Sequence, residues 1–186
     1  MCFWNKKHST YKEFEKLRIE ADDILEYIDG VIYMSPSPCI RHQEISSFLH
    51  GELYNSLKGK DCSVFSAPTD VLFDHANDEA KKKVVPDLFV TCNPENFTES
   101  EYVGPPEFII EILSPSSRSH DMVTKLNLYM NNGVKEYWIV DPIKNHIMLY
   151  AKDHNNEVQF DLMNIGDVAI SKTITSFEIN LNRLFN

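Results

Sequence analysis

Long hydrophobic runs are missing from this sequence. The longest apolar stretch holds about five residues, against the roughly twenty that cross a bilayer as a helix, so no membrane span is expected. Met1-Cys2-Phe3-Trp4-Asn5-Lys6-Lys7-His8 sets its lysines after the apolar residues, with no apolar region following. That is not the order of a secretory signal, and a cytoplasmic location is expected. Cysteine is sparse. Cys2, Cys39, Cys62 and Cys92 form no CxxC pair, and neither they nor the histidines fall at zinc-ligand spacing. Reduced thiols and no zinc site are expected. Positive charge is also short: 18 Lys and Arg stand against 28 Asp and Glu, a net charge of −10. That balance argues mildly against a dedicated, tight nucleic-acid binder, whose affinity comes largely from phosphate attraction. Lys81-Lys82-Lys83 is the one cationic run.

What is present is ordinary globular material. Hydrophobic residues make up 42%, with 11 Phe and 8 Tyr, which supplies a core and excludes disorder as the default. No repeat, low-complexity tract or Gly/Ser linker divides the 186 residues, so one domain over 1–186 is expected, with its core at roughly 24–150.

Residues 9–22 read as a short helix with Tyr11, Phe14 and Leu17 on one face. Ile24–Ile28 and Val31–Met34 flank Asp29-Gly30, a strong hairpin signal, and Ser35-Pro36-Ser37-Pro38 breaks the chain. Ile45, Phe48, Leu49, Leu53 and Leu57 recur at helical spacing within Ile40–Leu57. Strands are expected at Ser63–Phe65, Thr69–Phe73, Val84–Cys92 and Glu107–Leu113, with a polar loop at Asp74–Lys83 and a polar connection at Asn93–Pro106. A helix over His120–Asn131, N-capped by Ser119 and stopped at Asn132-Gly133, precedes strands at Val134–Val140 and His146–Tyr150. Two or three weaker strands and a short helix within Asn180–Phe185 complete the chain. The strand–helix–strand unit implies a parallel crossover, and its apolar strands imply a sheet covered on both faces. The class is α/β, a mixed central sheet flanked by helices.

Two carboxylates sit in apolar company. Asp87 interrupts Val84–Cys92, and Glu111 interrupts Phe108–Leu113. An ionised carboxylate in a dry interior costs several kcal/mol unless it is paired or binds a cation. Alternation puts Glu107, Ile109, Glu111 and Leu113 on one face, so Glu111 needs compensation from elsewhere in the fold. Structural ion pairs are the plain alternative. Two carboxylates converging on one spot favour a divalent cation between them. Lys125 lies on the following helix, with Asp121 four residues before it and Leu128 and Asn132 on the same face. Asp70, Glu26 and His42 are further cleft candidates, although a helix-face His such as His42, next to Glu44, is more often a surface residue. Ser114 has no interpretable His–Asp partner, which argues against a serine hydrolase.

Val85-Pro86-Asp87, Glu111-Ile112-Leu113 and Lys125 together resemble the PD-(D/E)XK nuclease superfamily. More narrowly, the chain is similar to the bacterial restriction-endonuclease family catalogued as a domain of unknown function. Glu26-Tyr27-Ile28-Asp29-Gly30, Met34-Ser35-Pro36, His42, Gly104-Pro105-Pro106-Glu107, Ser114-Pro115-Ser116, Asp121, Tyr129 and Gly133 through Pro142 carry the same likeness in order. The resemblance implies a restriction-endonuclease-like fold, Mg²⁺ (with Mn²⁺ as a substitute) held by Asp87, Glu111 and the Ile112 carbonyl, hydrolysis of DNA phosphodiesters, and a homodimer. The superfamily lysine falls at Leu113 here, and Lys125 takes its place. An inactive nuclease-like binding module, or an accessory protein of a mobile element, is the alternative in another class.

Overall fold

The computed structural model describes residues 8–35, 37–73, 80–115 and 117–186. The N-terminal segment 1–7 with Cys2, Pro36 of the chain breaker, residues 74–79 of the polar loop, and Ser116 lie outside the described residues.

Helix α1 (Tyr11–Glu20) starts at a capping box: Thr10 Oγ1 accepts from the Glu13 amide at 3.2 Å, and Glu13 accepts from the Thr10 amide at 2.7 Å. Its Phe14 packs on Tyr27 of β1 (Ile24–Ile28). The turn to β2 (Val31–Ser35) places Asp29 and Gly30 at φ 50° and 78°, the two left-handed residues that match a hairpin's twist. Helix α2 (Ile40–Leu57), β3 (Ser63–Ser66) and β4 (Asp70–Phe73) follow where the periodicity puts them.

The stretch read as one strand, Val84–Cys92, is two. β5 (Lys82–Val84) and β6 (Leu88–Thr91) belong to different sheets. Pro86 has no N–H to give a ladder. The Val85 amide goes instead to the Glu26 carboxylate at 2.8 Å, and the Asp87 carbonyl accepts from Ala67. Asp87 therefore stands where the chain crosses between sheets. The polar connection after it holds a 3₁₀ turn and β7 (Glu101–Val103), parallel to β4.

One sheet runs β2-β1-β5-β4-β7. The second takes β3 and β6 with β8 (Phe108–Ile112), β9 (Glu136–Asp141), β10 (His146–Lys152) and β11 (Val158–Asn164), in the order β11-β10-β9-β8-β6-β3. β8 and β9 are parallel, as a crossover requires, and both faces are covered. Ile110, Ile112, Trp138 and Val140 meet Leu49 and Leu53 of α2, whereas Ile109, Tyr137 and Ile139 meet Leu128 and Tyr129. A small ladder, β12 (Val168–Ile170) with β13 (Glu178–Asn180), and α4 (Leu181–Phe185) close the first of these faces.

Two local expectations change. The helix after β8 begins as a π-helical turn over His120–Lys125 and becomes α-helical as α3 (Leu126–Asn131). Ser119 does not cap it. Its backbone is already helical and its side chain caps nothing, whereas Ser114 Oγ accepts from the Ser117 amide at 3.1 Å and the Ser114 carbonyl from the Arg118 amide. Cys62 and Cys92 are also not free thiols. The β3–β6 register sets Ser63 opposite Thr91, so the cysteines just outside that pair face each other and form a disulfide; Cys39 is free and exposed.

Candidate active site

The crossing at Val85–Asp87, the end of β8 and the π-helical turn meet at a cavity of about 770 Å³. Glu26, Asp87, Glu111, Asp121 and Lys125 all line it, with His42 and His120. Strand alternation turns Glu111 inward beside Ile109 and Leu113. Its Oε1 accepts from Lys125 Nζ and from Tyr129 Oη, each at 2.8 Å, and its Oε2 accepts from the Asp87 amide at 3.3 Å. Asp87 Oδ2 accepts from the Ile112 amide at 2.7 Å and lies 3.1 Å from His42 Nε2. Glu26 joins from β1: Lys125 Nζ is 2.9 Å from its Oε1, and His120 Nε2 is 3.1 Å from its Oε2.

Lys125 is thus buried among three carboxylates, with Asp121 at 3.8 Å. The Asp121–Lys125 pair, with the spacing of a surface salt bridge, is inside the protein. Leu113, on the Glu111 face, ends in the apolar cluster with Leu128 and Tyr129, and the helix brings the ammonium that a lysine there would have carried.

The electrostatics follow from burial. Burial alone would lower the Lys125 pKa, but Glu111, Glu26 and Asp121 outweigh it and hold the ammonium well above its ordinary value. Burial would raise Glu26; Lys125, His120 and the Val85 amide overcome it and leave the carboxyl at about 2. Glu111 goes the other way. Burial, with Asp87, Asp121 and Glu26 nearby, raises it well above the carboxylate range despite Lys125. Asp121 is raised as well, mainly by burial. His42 is raised because its bond to Asp87 and that residue's charge exceed the effect of burial.

Three carboxylates around one ammonium, with Asp87 beside Glu111, leave surplus negative charge, which a cation would offset. Among the described residues, no three His, Cys, Asp or Glu side chains are already arranged to hold a metal ion. Mg²⁺ needs less: it takes one or two carboxylates and keeps several waters. Asp87 and Glu111 are hard oxygen donors, and the Ile112 amide and His42 both meet Asp87 at Oδ2. The donor set fits such an ion.

The structure leaves some sequence candidates outside. Asp70 does not line the cavity; it begins β4 in the other sheet and pairs with Arg18 of α1. Asn132 caps α3, donating to the Leu128 carbonyl, and Glu44 is exposed beside Arg41. His42, a cleft candidate weighed against a surface role, is buried and lines the cavity. The signal was available, since His42 falls three residues before Ile45 on the apolar face of α2. His120 and its stacking partner Tyr33, with ring centroids 4.1 Å apart, carried no local signal.

Comparison with known proteins gives the family and the fold. The family described as "Uma2: Putative restriction endonuclease" matches residues 11–182. An uncharacterized protein of Synechocystis sp., slr1290, is 30% identical over 133 residues, covering 71% of this chain and 68% of that protein. A crystal structure of "a putative nuclease belonging to DUF820" from Anabaena variabilis superposes with a TM-score of 0.77 at 22% identity, covering 95% of this chain and 97% of that one. The fold they share is restriction-endonuclease-like.

Proposed function

The chain belongs to the Uma2 family of restriction-endonuclease-like proteins, and from that premise we propose that it hydrolyses phosphodiester bonds in DNA with Mg²⁺ as cofactor. The observation that carries this reading is the convergence of Asp87, Glu111 and Lys125, from three separate elements, on one cavity.

A bound Mg²⁺ would supply a nucleophilic water near neutral pH and offset charge on the phosphate. Asp87 and Glu111, with the Ile112 carbonyl, are the groups that would hold it. Asp87 is fixed by the Ile112 amide and His42, so its carboxylate meets the ion already oriented. Tyr129 and Lys125 fix Glu111 in the same way. Lys125 stays protonated, so it serves as a positive charge for the transition-state phosphate and not as the base. Glu26 and Asp121 hold that ammonium in place, and His120 holds Glu26.

A binding module without cleavage is the second reading. It is favoured by Lys125, whose ammonium already neutralises part of the acid cluster. One assay separates the two. Plasmid and single-stranded DNA are incubated with Mg²⁺ or Mn²⁺, with chelator as control, using the parent protein and Asp87→Ala and Glu111→Ala. Cleavage that needs the ion and both carboxylates supports the enzyme. Cleavage that survives either substitution, or DNA binding with no cleavage, removes it. No helix among the described residues is long and apolar enough to cross a membrane.

A further inference from the structure

The lining of the cavity is not uniform, and its composition bears on which form of DNA it accepts; this step rests on the phosphodiesterase reading. One stretch, from β1 and β2, is apolar: Ile24 and Tyr33, which share the Glu26 face of the hairpin. Ile24 is exposed, at 36%, so this apolar surface is open to a ligand. A second stretch, from α2 and the end of β3, bears neutral polar groups: Gln43, Ser46, Ser47, His50 and Ser66. The third is the carboxylate–lysine floor.

Cations are what this lining lacks. Among the described residues, Lys125 is the one Lys or Arg side chain on it, and three carboxylates hold it. Neighbouring cations are engaged elsewhere. Arg118 pairs with the buried Asp141, Lys82 with Asp29, and Arg41 with Glu44 and the Phe185 carbonyl. A duplex-binding protein typically neutralises about 6–10 phosphates with Lys and Arg. Beyond Lys125, the described lining offers no Lys or Arg for that. Serine hydroxyls and amides donate hydrogen bonds to phosphate oxygens without needing counter-charge.

Size points the same way. About 770 Å³ is the scale of a small-molecule pocket, with room for one or two nucleotides. In a duplex the base faces are stacked and hidden, and a base must be unstacked at a cost before it can enter a pocket. In a single strand they are free to pack on aromatic and apolar side chains. We propose that the cavity receives single-stranded DNA, an unstacked base lying against Ile24 and Tyr33 and its sugar-phosphate along the serine-bearing lining, and that intact duplex is the poorer substrate. A single strand needs one active site, so cleavage by this route does not require the homodimer that the resemblance implies.

The test is fluorescence anisotropy of a labelled DNA strand of about ten nucleotides, alone and annealed to its complement, with Ca²⁺ in place of Mg²⁺. The single strand should bind at least about ten-fold tighter, with a salt dependence equivalent to roughly one or two phosphates. Ile24→Glu, at an exposed position, should weaken strand binding about ten-fold, and Ile24→Leu should restore it. Equal or tighter duplex binding, a steep salt dependence, or an unaffected Ile24→Glu overturns the proposal. Cleavage assays separate its failure from that of the underlying reading. Ion-dependent cleavage of duplex as fast as of single strand discards the strand preference and keeps the phosphodiesterase. Cleavage of neither discards both.

Discussion

The ammonium of Lys125 lies 2.8 Å from the Glu111 carboxylate, although 14 residues and a π-helical turn separate them in the chain. Glu111 is on a strand buried on both faces, so its charge needs a partner delivered from another element. The helix after β8 makes that delivery, and β1 adds Glu26 on the other side of the same ammonium. The arrangement costs stability in one place and gains it in another, which makes it testable by both folding and activity.

Removing the lysine charge should harm both. Lys125→Met leaves Glu26 and Glu111 buried without their cation, and breaking a buried pair costs about 3–5 kcal/mol. Urea denaturation should read that loss. Cleavage should fall by at least about a hundred-fold, because the charge facing the phosphate is gone. Unchanged stability would mean the pair is not formed in solution.

Glu26 predicts acid sensitivity. Its carboxyl is held at about 2 in the fold, below the unfolded value, so its contribution is fully present above the ordinary carboxylate range and is lost as pH falls toward 2. The size is on the order of 2–3 kcal/mol. Denaturation profiles of the parent and Glu26→Gln should diverge near neutral pH and converge in strong acid. Parallel profiles would contradict the assignment.

Asp121 predicts the opposite sign. Burial raises its pKa, so its ionised form weighs against folding, and the cost grows as pH rises past the ordinary aspartate value. Without divalent cations at neutral pH, Asp121→Asn should be more stable by roughly 1 kcal/mol and less active. In acid the difference should vanish. Thermal melts across pH measure it directly.

Much of the architecture was legible because the periodicities are clean. The α2 stripe, the Asp29-Gly30 hairpin and the apolar β8 and β9 strands each have one reading. The crossing at Val85–Asp87 was less so. Pro86 breaks a ladder, yet the run around it is apolar enough to look continuous, and the competing partner of the Val85 amide, Glu26, lies 59 residues away. For the site, Asp87 and Glu111 were visible as charge in apolar company, whereas Lys125, spaced from Asp121 like a surface pair, took its place from the resemblance. His120 and Tyr33 were not visible, since their contact depends on how the hairpin meets the π-helical turn. The Cys62–Cys92 pairing required strand register, which local composition does not contain.

That disulfide carries its own prediction. It closes a loop of 30 residues between adjacent strands, worth about 3–4 kcal/mol in the chain-entropy account. Adding reductant, or replacing both cysteines with serine, should lower denaturant stability by about that amount. Equal stability under reducing and oxidising conditions would show the two thiols free in solution.

The central claim is that Asp87 and Glu111 together hold a divalent cation. Crystals soaked in Mn²⁺ and measured at the manganese absorption edge test it most directly. An anomalous peak in contact with both carboxylates is expected, absent from crystals of Asp87→Ala. A cavity without a peak, or a peak that touches neither carboxylate, would contradict it.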